Sequence, residues 1–184
     1  MKTFKLLLIS FFVLCVSTTN VVASKDSKGN SVIYQTYPQA QAEVLETFMA
    51  IAESIVAGAG QGYDSDFMDQ LISFHAYGDK FVEFNGGMSF DSLGNEHNER
   101  QLFGVDLEEN GVLQFAAKKG SLNVAVYYGN VANLTFISDF ILDHKDYGVI
   151  TVENLITLLF VKTKGEWKIA HEHHSQVTES LVQE

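Results

Sequence analysis

Only one of the 184 residues is cysteine, Cys15, and it sits in an apolar stretch near the N-terminus. The rest of the chain therefore has no disulfide framework, no thiol nucleophile and no cysteine-ligated metal. Leu14, not a small residue, precedes Cys15, which argues against lipid attachment there. Basic residues are also scarce, with 12 Lys and Arg against 23 Asp and Glu and a formal net charge of −11. That balance argues against nucleic acid and against anionic membrane surfaces. No apolar run reaches the roughly 20 residues of a membrane-spanning helix. The candidate stretch from Leu6 to Val16 is broken by Ser17-Thr18-Thr19-Asn20. There is no Gly-x-Ser-x-Gly elbow, phosphate loop or dinucleotide fingerprint. Asp64-Ser65-Asp66 begins like a calcium loop but lacks the glycine and the distal glutamate.

Lys2 and Lys5 ahead of the apolar stretch, with Val21-Val22-Ala23 behind it, read as a secretory signal spanning residues 1–23. The expected mature chain starts near Ser24, is secreted or periplasmic, and has no membrane association once the signal is removed. It keeps 161 of the 184 residues, a length suited to one domain, and its charge falls to −13 with the loss of Lys2 and Lys5. Residues 24–36 form a polar tail, 37–178 the domain and 179–184 a second tail. The sequon Asn133-Leu134-Thr135 lies in an apolar strand candidate and carries little weight as a glycosylation site.

Thr36 and Pro38 suit a helix start, and Val44, Phe48, Ala52 and Ile55 recur at helical spacing up to Ala57. Gly58-Ala59-Gly60-Gln61-Gly62 stops that helix. Because this glycine run follows a helix, not a strand, it reads as a loop and not a phosphate cradle. Asp64 or Ser65 can cap a second helix with Phe67, Leu71 and Phe74 on its inner side. Lys80 to Phe84 reads as a short strand before the turn Asn85-Gly86-Gly87. The polar region Asp91–Asn110 fits a helix or a long loop equally. Strands are then expected over 122–128, 132–142, 149–161 and 167–177, the last two joined as a hairpin at Lys164-Gly165-Glu166. Helices first and an antiparallel meander last define an α+β chain.

Asp79-Lys80-Phe81-Val82-Glu83-Phe84 and the C-terminal Gly165-Glu166-Trp167-Lys168-Ile169-Ala170-His171-Glu172-His173-His174-Ser175 resemble the SnoaL-like branch of the NTF2-like superfamily. The resemblance spans roughly Pro38 to Ser175. It implies a cone, in which a curved antiparallel sheet wraps around N-terminal helices with a pocket at the wide end, and a homodimer through the sheet. It implies no single activity, since relatives include isomerases, cyclases, dehydratases, association domains and plain binders. Aligning the short strand with that of the ketosteroid isomerases puts Phe84 where their general-base Asp stands. A phenyl ring accepts no proton, and a slip of one residue brings Glu83 or Asn85 there instead.

The closing segment carries three of the six histidines within four positions. On a regular strand His171, His173 and Ser175 share a face with Trp167 and Ile169, and Glu172 and His174 share the other with Lys168 and Ala170. Either set can supply acid–base chemistry, an imidazole near neutrality and a carboxylate raised by burial being a workable pair. The candidate catalytic residues are thus His174, Glu172, His171 and His173. Ligand contacts are expected from Phe84, Glu83, Tyr77 and Trp167, with the 14 phenylalanines available for core and pocket walls alike. The expected partner is a small, largely apolar molecule. The alternative is a non-catalytic binding or assembly module in which the histidines pack or set a dimer. His-x-His could donate two imidazoles to a metal, yet His75, His97 and His144 stand at no recognisable spacing for a third, so neither metal nor cofactor is expected.

Overall fold

A computed structural model describes residues 21–25, 31–144 and 147–177. Residues 1–20 of the expected signal and the tail 179–184 lie outside the described residues. The chain divides into two units at Thr36/Tyr37. The first is a hairpin of β1 (Val21–Lys25) and β2 (Ser31–Gln35), antiparallel, with Val21 opposite Gln35 and Lys25 opposite Ser31.

In the second unit α1 runs over Pro38–Gly58, opened by its proline. Its buried face is Val44, Phe48, Ile51 and Ile55, a stripe at spacings of four, three and four. Each such side chain contributes roughly 1.5–3 kcal/mol on burial. α2 (Asp66–Ser73) is capped by Ser65, whose Oγ accepts from the Met68 amide. Met68 and Leu71 face inward, while Phe67 is 40% exposed, contrary to its expected inner position. α1 and α2 approach closely at Gly58, where a Cβ would stand 2.5 Å from Met68 Cε. The polar region left open by the sequence forms α3 (Ser92–Gln101), capped by Asp91, and widens into a π turn over Leu102–Asp106.

Eight strands make one curved, open sheet around these helices: β3 (Val82–Asn85), β4 (Met88–Phe90), β5 (Val112–Ala117), β6 (Asn123–Tyr127), β7 (Val131–His144), β8 (Gly148–Val152), β9 (Asn154–Thr163) and β10 (Glu166–Gln176). The order is β4-β3-β10-β9-β7-β5, with β6 and β8 also on β7. Every pairing is antiparallel except β10 with β3, so the sheet is mixed. The single strand expected over 149–161 is broken at Glu153 into β8 and β9, and β5 was not anticipated. Ser138 stitches that break, its Oγ accepting from the Asn154 amide at 2.9 Å and donating to the Val152 carbonyl at 3.4 Å.

The most consequential departure is a bulge in β10. Ile169 pairs with Phe160 but His171 pairs with Leu159, so Ala170 is an extra residue and the inward-facing set changes parity. Trp167, Ile169, Glu172 and His174 therefore share the inner face, and His171 and His173 the outer one. The face assignment expected of a regular strand is corrected accordingly.

Gly60 is needed where α1 meets the π turn. It has φ +68°, and a Cβ there would lie 2.2 Å from the Glu109 amide nitrogen. Gly60→Ala is expected to destabilise the fold by roughly 1–3 kcal/mol, read as a lower urea midpoint at unchanged slope.

Candidate functional site

The inner face of the sheet and α1 leave a cavity of about 270 Å³ in the second unit. Its walls are apolar, with Phe48, Ile51 and Ile55 from α1, Phe115 from β5, Phe136 and Phe140 from β7, and Phe103 from the π turn. The titratable side chains of the lining, His75, Glu99, Glu172 and His174, gather at one end with Asn85, and Ser138 and Asn154 also line the cavity.

Glu172 is the hub of that end. It is only 4% exposed, yet His75 Nε2 stands 2.8 Å from its Oε1 and His174 Nε2 stands 3.1 Å from its Oε2. Burial alone would raise its pKa, but the two imidazoles outweigh that and hold the carboxyl well below the usual carboxylate range. His75 Nδ1 donates to the carbonyls of Leu71 and Ile72 at 3.2 and 3.3 Å. With an acceptor at each ring nitrogen, His75 is best satisfied as the imidazolium. Burial pulls its pKa down and Glu172 more than restores it, so the net shift is upward. His174 is likewise raised, its burial outweighed by its contact with Glu172.

Glu83 lies beside this pair, fully buried on β3. Its Oε1 accepts from Asn85 Nδ2 at 2.9 Å and its Oε2 from Asn95 Nδ2 at 2.8 Å. Asn95 is held in turn by the Tyr77 hydroxyl at 2.5 Å. Glu99, on α3, is 8% exposed and lines the cavity. No hydrogen bond is made by its carboxyl among the described residues. Burial, with Glu172 next in importance, pushes its pKa up to about 8.

Glu83, Glu172 and His174 bring ligand atoms within 4.8 Å of one another, a set that could hold a metal ion. However, both Glu83 oxygens already accept from amides and both Glu172 oxygens contact imidazoles, so an ion would have to displace the His174–Glu172 contact. What the arrangement offers directly is a carboxylate-backed imidazole and an unpaired carboxyl facing an apolar chamber. Such groups can take or give a proton.

Of the residues singled out from the sequence, Glu172 and His174 line the cavity. His171 and His173 do not; both flank Phe84 on the outer face, with ring centroids 5.7 and 6.3 Å from its ring. Phe84 is 48% exposed there and lines no part of the cavity, because alternation along β3 turns its neighbours Glu83 and Asn85 inward instead. Tyr77 and Trp167 also stand outside the lining. Tyr77 positions Asn95, and Trp167 Nε1 donates to Glu43 Oε2 at 2.9 Å. From the sequence His75 is weighed only as a third metal ligand, and Glu99 is not singled out. Leu71 and His75 are four residues apart, the spacing that carries the inner face of α2 onward, whereas Glu99 lay in the segment whose form was undecided.

A family model described as a SnoaL-like domain matches residues 44–179. A comparison with curated protein sequences gives no match. Among solved structures, an NTF2-like superfamily protein from Salmonella enterica serovar Typhimurium is 17% identical at a TM-score of 0.58, covering 80% of this chain and 97% of that one. A candidate dehydratase of the NTF2-like family from Streptomyces avermitilis is 14% identical at 0.59, covering 77% and 98%. The association domain of C. elegans CaMKII is 14% identical at 0.55, covering 76% and 96%. At these identities the likeness is one of fold.

Glu99 yields a pH test with a definite sign. A carboxyl whose pKa rises on folding, here from 4.5 to about 8, costs nothing below the lower value and destabilises the fold progressively as pH climbs to the higher one. Glu99→Gln should therefore match the wild type in chemical denaturation near pH 4.5 and exceed it, by on the order of a few kcal/mol, at pH 8 to 9. Equal stabilities across that range would contradict the raised pKa.

Proposed function

Since the chain belongs to the SnoaL-like domain family, whose fold alone fixes no reaction, we propose that it binds a small, largely apolar molecule in the cavity and moves a proton on it. The observation that carries this reading is the convergence of the titratable groups His174, Glu172 and Glu99 in a phenylalanine-walled chamber. The ligand's hydrocarbon part lies among the rings, and its polar group meets the three side chains. His174 is the proton carrier and Glu172 sets its basicity and orientation. The reaction class is isomerase, cyclase or lyase.

Native mass spectrometry of protein purified from its own host, followed by identification of the released molecule, tests the binding step. With that molecule as substrate, His174→Gln should lower kcat by roughly 10²-fold or more, while His173→Gln, on the outer face, leaves kcat unchanged. Equal activity in the two variants would overturn the assignment of His174.

A second reading concerns assembly. On the outer face, half-exposed Phe84 lies against His171 and His173, and Leu155 on β9 is 51% exposed. This is the surface through which we propose a homodimer forms, and the fold's likeness to an association domain supports it. A double variant Phe84→Asp/Leu155→Asp should run as a monomer in light scattering with its melting temperature little changed. We also propose export, with cleavage before Ser24. That cut would remove Val21, Val22 and Ala23 from β1 and so undo the hairpin pairing opposite Gln35, Tyr34 and Ile33. N-terminal sequencing of the mature protein decides it.

A further inference from the structure

The polar end of the cavity holds more carboxyls than bases. Among the described residues three buried carboxyls, Glu83, Glu99 and Glu172, meet there with only two imidazoles, His75 and His174, and no lysine or arginine lines the chamber. Even with both rings protonated, the positive charge matches two carboxylates and no more. Glu172 takes both imidazoles and Glu83 takes the amides of Asn85 and Asn95. Glu99 is the one left over, more than nine-tenths buried, lining the cavity, with no hydrogen-bond partner among the described residues. Ionising such a group near neutral pH costs free energy that a cation arriving from outside would offset.

The walls say what form of cation fits. Phe48, Phe103, Phe115, Phe136 and Phe140 all line the same chamber, and their ring faces attract a positive charge as well as hydrocarbon. An anionic ligand would meet the carboxylates without a compensating base. We propose that the cavity takes an apolar amine, bound as its ammonium ion against Glu99, with the phenylalanine rings around its hydrocarbon part. This rests on the binding reading above and names the chemical class of that ligand.

Binding carries a proton balance. The amine arrives already protonated as R–NH₃⁺, Glu99 passes from COOH to COO⁻, and the proton it loses leaves to solvent. The groups facing Glu99 that govern this step are Glu172, His75, Glu83 and His174. Near neutral pH, where Glu99 is largely protonated, up to one proton is released per ligand bound.

The test uses three probes of similar shape, 2-phenylethylamine, 2-phenylethanol and 3-phenylpropionate, titrated calorimetrically into wild type and Glu99→Gln at pH 7 in two buffers of different ionisation enthalpy. The amine should bind about tenfold or more tighter than the alcohol, the propionate should bind least, and the amine alone should release protons. Glu99→Gln, its fold checked by thermal melting, should bring the amine down to the alcohol's affinity and abolish the release. If alcohol and amine bind alike, or the amine's advantage survives Glu99→Gln, the ammonium inference falls while the cavity reading stands. Tightest binding of the propionate overturns it as well. If none of the three binds, the cavity reading falls with it.

Discussion

Everything at the inner end of this fold depends on keeping Glu172 charged while it is almost wholly buried. An isolated carboxylate so deeply buried would be costly enough to protonate or to unfold the strand around it. Two imidazoles prevent that, one at each oxygen, and each must be delivered by a different part of the chain. His174 comes from β10 itself. His75 comes from the end of α2, and its position is fixed by main-chain bonds to the same strand: the Ile169 amide donates to the Phe74 carbonyl at 2.8 Å and the Ala76 amide to the Ile169 carbonyl at 2.7 Å. The helix end, the strand and the charge are therefore one cooperative unit, and removing either imidazole leaves a buried charge half-compensated.

The neighbouring carboxyls show how partners, and not residue type, decide what a glutamate does. Glu83 is as buried as Glu172 but is held by neutral amides in the chain Tyr77–Asn95–Glu83–Asn85, which ties α3 to β3. Glu99 sits on the same helix as Asn95, one turn further along, and the network stops short of it. Burial, with the nearby Glu172 charge next, raises its pKa to about 8. A satisfied network is structure, whereas a carboxyl that opens on the cavity without a hydrogen bond has room for a partner.

Much of the frame was legible in the sequence. The stripe Val44, Phe48, Ile55 marked α1, the pair Asp64 and Ser65 marked the start of α2, and the glycine-punctuated apolar runs marked β6, β7, β9 and β10, since burial on one face imposes its period directly. The polar segment 91–110 was not legible, because α3 buries Asn95, Glu99 and Arg100 where an amphipathic helix would bury apolar groups. Arg100 answers to Asp69 and Glu96 and Asn95 to Glu83, partners on the same helix or far along the chain. Local periodicity carries no trace of such long-range pairing, and Glu99 was lost with the segment. The same limitation hid His75, whose meaning depends on Glu172, 97 residues later.

The histidine cluster was visible at once, but its division between faces was not, and Ala170 is the reason. Strand side chains alternate with a period of two, so a single inserted residue exchanges the faces of everything beyond it. Without the bulge, Ile169 would carry His171 and His173 into the cavity, and Glu172 and His174 would face outward beside Phe84. An alanine in that place looks like any other strand residue, whereas the glycine or proline that often announces a bulge is absent. Read as one motif, His171-Glu172-His173-His174 suggests a metal or a catalytic cluster; divided by alternation it is two pairs with different duties. The inner pair, Glu172 and His174, belongs to the cavity and its charge balance. The outer pair, His171 bonded to the Val82 carbonyl at 2.7 Å and His173 against Phe84, belongs to the surface of the sheet.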